Sequence, residues 1–170
     1  MMHATADLSY SEYDGYEMVT LPYGSGAFAL SVILPSEDVD FAVSASMFDV
    51  GVWTNLQNVS TTKQISVSIP EYSFEYDTSL AETLSALGVE EAFIKDKADF
   101  SGISDGDIWM SAFLHKTFID VNREGTQAAA TTSASMMGAM PQSFTVSRPF
   151  IFVISELSSG TILYIGQKVR

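Results

Sequence analysis

Three stretches of this 170-residue chain carry residue types that can do chemistry. Gly102-Ile103-Ser104-Asp105-Gly106 fits the G-x-S-x-G spacing of a nucleophile elbow, with His115 and Asp120 downstream as a base and an orienting carboxylate. Asp105-Gly106-Asp107 sets two carboxylates one residue apart, the start of a cation site. The third stretch runs from Gly125 to Ser147, 23 residues without a charge, fenced by Glu124 and Arg148. It holds no catalytic group, so the chemistry open to it is that of a substrate.

The elements expected around these residues decide among them. An elbow needs a strand before its serine and a helix after it, whereas Ser104 follows a helix-to-loop region and precedes a long strand. The order of partners also departs from that fold. His115 lies within the strand-like run and reads as a structural histidine with satisfied hydrogen bonds. The aspartate pair lacks the further spaced ligands of a calcium loop and reads as a solvated turn. No catalytic residue, metal or cofactor is expected.

The neutral run is different, because strands flank it. Ile108 to Val121 is long, aromatic and apolar, free of Gly and Pro, and predicts a central strand. Downstream, Phe144–Val146 and Pro149–Ile154 predict further strands, and Ser158-Ser159-Gly160 a turn before Thr161–Ile165. In an extended run Thr126, Ala128, Ala130, Thr132 and Ala134 share one face, so that face can enter a sheet without burying a charge. Taken alone, the segment also reads as a flexible Ala/Ser/Thr linker.

Nearer the start, Tyr16–Leu21 and Ala27–Leu34 predict a hairpin about Pro22-Tyr23-Gly24-Ser25-Gly26, its second strand ending at Pro35. Glu37 to Leu56 has helical spacing in two short pieces, and alternating Ile65, Val67 and Ile69 predict a strand from Gln64. Ser79-Leu80-Ala81-Glu82 is a capping-box pattern, Leu80, Leu84 and Leu87 share a helical face, and Gly88 is placed to end the helix.

These residues resemble the carboxy-terminal part of a serpin, through the hinge Glu124-Gly125-Thr126-Gln127-Ala128-Ala129-Ala130 and through Phe144-Thr145-Val146-Ser147-Arg148-Pro149-Phe150-Ile151-Phe152. The resemblance also takes in Leu21-Pro22-Tyr23, Ile69–Phe74, Leu87-Gly88, Ala98–Ile103 and His115-Lys116. Ser147 stands where the family usually has Asn or Asp. The ending Gly166-Gln167-Lys168-Val169-Arg170 departs from the family's Gly, basic residue and apolar pair, which implies a final strand that is short or frayed. Met1-Met2 looks like a motif from the middle of a serpin, so the likeness covers a little under half of that fold.

The resemblance implies an α+β fold, mainly antiparallel β-sheets with a few short helices, in which residues 1–170 form the carboxy-terminal portion of one serpin domain with a reactive-centre loop at about 125–147. It implies a non-enzymatic inhibitor, attacked as a suicide substrate by a target serine protease, which then stays acylated to it while the loop inserts into a sheet. Counting forward from Gly125 by the family spacing gives Ala139-Met140 as the reactive bond, and counting back from Pro149 gives Gly138-Ala139. Met137 and Met140 are alternatives to Ala139 in other registers. His115 falls where serpins carry a histidine in a network beneath the large sheet. The competing class is a non-inhibitory or truncated piece that self-associates through exposed strand edges.

Composition narrows the partners. A net charge of -13, with pI near 4.2, argues against nucleic acid, anionic membranes and a heparin-type cofactor. No window approaches the roughly 18 apolar residues of a membrane span. The chain has no cysteine, hence no disulfide, which does not by itself assign a reducing compartment. The full-length protein is expected outside the cell or at its surface, with any export signal in its amino-terminal part.

Overall fold

Asp14 and Gly15 both take positive φ, 49° and 78°, the conformation of the tight two-residue turn that joins strands with their natural twist. In the computed structural model, which describes residues 1–122 and 141–169, this turn links β1 (Met2–Tyr13) to β2 (Tyr16–Tyr23), with Tyr13 opposite Tyr16. β2 pairs in turn with β3 (Phe28–Pro35). Two helices follow, α1 (Phe41–Met47) and α2 (Val50–Asn58), then β4 (Thr61–Ile69). After residues 72–120, which form a compact unit of their own, the first unit is completed by β7 (Gln142–Thr145), β8 (Phe150–Glu156) and β9 (Ile162–Lys168).

These strands make one seven-stranded sheet in the order β7-β4-β1-β2-β3-β8-β9. β1 is long enough to serve two neighbours: Met2–Tyr10 face β4, and Ser9–Tyr13 face β2. All pairings are antiparallel except β4 with β7. β3 is apolar on both faces and buried from Ala29 to Pro35, as a strand at the centre of a core must be. On one face α2 inserts Trp53 and Leu56 among Tyr16, Met18, Ile33, Ile151 and Val153. The Tyr16 hydroxyl donates to the Ser44 carbonyl of α1 at 2.7 Å, and its ring meets Phe48 edge-on. Residues of the opposite parity, Val19, Val32 and Phe152, are buried on the other face.

The unit of residues 72–120 holds β5 (Tyr72–Ser79), α3 (Ala81–Ala86), a 3-10 turn at Glu91–Phe93 and β6 (Leu114–Val121), whose last residue reaches the first unit. β5 and β6 form a two-stranded sheet. The C-terminus of α3 closes as expected: Gly88 takes φ +98°, its N–H donates to Ser85 O, and Val89 N–H donates to Leu84 O.

The α+β class and the mainly antiparallel sheets are as expected, as are both hairpin strands and the two helical pieces. Three local readings are corrected. The strand expected over 108–121 starts only at Leu114, because its partner β5 is eight residues long and the chain before Leu114 bonds elsewhere: Met110 N–H donates to Ala92 O and Leu80 N–H to Phe113 O. It is also not central, since β6 has β5 as its one neighbour among the described residues. The capping box does not form: Ser79 is held in β5, Leu80 occupies the N-cap, and no side chain caps α3. The last strand is neither short nor frayed, pairing from Ile162 to Lys168 with β8.

Candidate functional site

The candidate site is the stretch between β6 and β7, and its two anchors are built differently. On the near side, alternation along β6 buries Ile119 and Val121 while Leu114 and Phe118 stay exposed on the opposite face. On the far side the chain re-enters at β7, where Gln142 to Thr145 lie parallel to Ile65 to Ser68. Phe144 and Val146 are buried there, and Val146 N–H donates to Ser68 O at 2.8 Å. Parallel pairing cannot be made by a tight turn, so β7 is held by its own burial and ladder bonds.

Arg148 completes the far anchor. Its Nη1 donates to the carbonyl of Pro35, the last residue of β3, and its Nε lies 3.4 Å from Glu37 Oε1. The ion pair is exposed and contributes little. The bond to the Pro35 carbonyl satisfies a strand-end acceptor and pins the turn into β8. The sequence marked Arg148 only as the boundary of the neutral run; its position just before Pro149 was the available sign of an anchoring role. The parallel partner of β7 had no sign in a four-residue strand.

Glu124, Gly125, Thr126, Gln127, Ala128, Ala129, Ala130, Thr132, Gly138, Ala139 and Met140 lie outside the described residues. His115 is the second residue of β6, exposed, and shares a hydrogen bond of 2.8 Å between its Nε2 and Thr117 Oγ1. Ser104 sits in an irregular segment with no strand before it and no helix after it, and its Oγ accepts the Gly106 N–H at 3.1 Å. That hydroxyl closes a local turn, which is incompatible with an elbow nucleophile. Among the described residues no group of three or more His, Cys, Asp or Glu is placed to hold a metal ion.

Comparison with known proteins agrees with this architecture. The family model described as Serpin (serine protease inhibitor) matches residues 1–170. An uncharacterized serpin-like protein of Methanosarcina acetivorans is 34% identical over 98% of this chain and 41% of its own length. The leukocyte elastase inhibitor of Homo sapiens is 32% identical over 98% of this chain and 47% of its own. The native-state crystal structure of the thermophilic serpin tengpin superposes with a TM-score of 0.82 at 31% identity, covering 99% of this chain and 45% of that one. The chain therefore spans less than half the length of these relatives, and it corresponds to the carboxy-terminal part of their fold.

Proposed function

The chain belongs to the serpin family, and from that premise we propose that the protein it forms part of inhibits serine proteases, and cysteine proteases by the same route, as a suicide substrate. The observation that carries the reading is a neutral bait beside an open strand: Glu124–Ala130 follow directly on β6, which has a neighbour on one side only among the described residues. Each inward residue of an inserting strand must be small enough to pass, and Thr126, Ala128, Ala130 and Thr132 meet that demand.

The protease serine attacks the carbonyl carbon of Ala139. The bond from that carbon to the Met140 nitrogen breaks, Met140 leaves as an amine carrying the proton from the protease histidine, and an ester to Ala139 remains. Freed at one end, the segment from Thr126 adds to the β6 edge as a new strand and draws the acylated protease with it before water can release the ester. A small apolar residue at Ala139 suits elastase-like or subtilisin-like proteases. A trypsin-like enzyme needs Lys or Arg, and neither occurs between Glu124 and Arg148.

Incubating the full-length protein with pancreatic elastase tests this. A denaturant-resistant complex should form, with a released carboxy-terminal piece that begins at Met140 by mass spectrometry. Cleavage there with full recovery of free elastase would sink the inhibitory reading. A second reading, a structural or self-associating piece, is favoured by the uncovered apolar edge at β9 and predicts homo-oligomers in sedimentation.

A further inference from the structure

The two ends of the seven-stranded sheet are finished differently. β7 is four residues long, is preceded by Pro141, and shows solvent Gln142, Ser143 and Thr145 while burying Phe144. Those are the devices by which an edge strand is kept from pairing further. β9 has none of them. From Leu157 to Gln167 the chain carries neither a charge nor a proline, within a molecule of net charge -13.

Four large apolar residues follow one another along β9, with Ile162 39%, Leu163 49%, Tyr164 47% and Ile165 57% exposed. Because side chains alternate, both faces of the strand are uncovered. The transition is abrupt: next door on β8, Phe150 to Val153 are buried. Gly166 keeps the strand seated, since it lies opposite Phe152 and a Cβ there would come within 2.5 Å of the buried ring. β9 is thus firmly joined on its inner side and open on its outer side and faces.

The matched fold supplies a candidate to cover it. Nearly all of this chain superposes on 45% of tengpin, so the rest of such a fold rests on surfaces this chain exposes. We propose that the outer edge of β9 receives a strand from the amino-terminal region that serpins carry ahead of the stretch matched here, laid along Ile162–Lys168 as an eighth strand of the sheet. Main-chain hydrogen bonds would supply the affinity, and pockets for Leu163, Tyr164 and Ile165 on the two faces the specificity. A second copy of the chain is the less favoured occupant, because it would bring two molecules of charge -13 side by side. The proposal rests on family membership alone and is read without any protease, so it stands or falls apart from the inhibitory mechanism.

The test mixes the 170-residue chain with the separately produced amino-terminal region of the Methanosarcina relative and follows binding and amide exchange. A one-to-one complex is expected, with exchange at Leu163–Gln167 slowed about tenfold or more. Ile165→Lys should weaken the complex about tenfold, and Ser143→Lys on β7 should leave it within about twofold. A single-chain fusion of the two parts, checked for a cooperative melt, removes the demand for affinity between species and should show the same protection. Absence of that protection in the fusion would overturn the proposal. So would a homodimer of the chain alone in which β9 is already protected.

Discussion

Glu156 ends β8 as a carboxylate surrounded by donors: it accepts N–H bonds from Ser158 at 3.0 Å and Ser159 at 2.7 Å, and the Ser159 hydroxyl at 2.5 Å. The Ser159 hydroxyl first, then Ser158 and the two backbone N–H groups, hold its carboxyl down to about 2, against an ordinary glutamate value of about 4.3. A folded-state value below the unfolded one means that the charged form stabilises the fold. That contribution is full above the unfolded value and disappears as pH falls through about 2. Glu156→Gln should therefore lower the urea midpoint at pH 7 and lower it progressively less from pH 5 to pH 2. A midpoint difference that stayed constant across that range would show that the turn is held by something other than this charge.

Among the elements, α2 shows how a short helix is worth more than its length. Asp49 Oδ1 accepts the Val52 N–H at 2.9 Å and starts the helix, which then places Trp53 and Leu56 in the core. Losing the cap by Asp49→Ala should cost about 1 kcal/mol. Leu56→Ala, at a fully buried position, should cost about 2–5 kcal/mol through lost burial and a cavity. Urea denaturation of both variants checks the order, and an equal loss would mean that the core collapses around the smaller side chain. The same element shows what was legible beforehand. Apolar spacing foretold two helical pieces because α1 and α2 each bury one stripe, and Ile65, Val67 and Ile69 foretold β4 because one face of it is buried. The start of β6 and the cap of α3 were not legible, because each was decided by a neighbour: the length of β5, and its hold on Ser79.

At the scale of the whole molecule, the bait was legible as composition, since a charge-free run in so acidic a chain stands out. Its anchors were not, because the bond from Arg148 to the Pro35 carbonyl spans 113 residues and the β4-β7 pairing leaves no local pattern. The function proposed for the bait makes an energetic demand on the intact protein. If insertion adds about ten ladder hydrogen bonds at roughly 1 kcal/mol each, the gain is on the order of 10 kcal/mol. That matches a typical domain's entire stability of roughly 5–15 kcal/mol, so the uncut form must be held away from its lowest state by the tether at Met140. Cutting the Ala139–Met140 bond of the full-length protein should then raise its melting temperature, by on the order of 20 °C at about 2 °C per kcal/mol. Thr126→Arg places a charge where the entering strand must bury its side chain, so the cut variant should gain little. Calorimetry of the two proteins before and after cleavage decides the matter: equal gains would remove insertion as the driving force, and a gain confined to the protein with Thr126 would establish it.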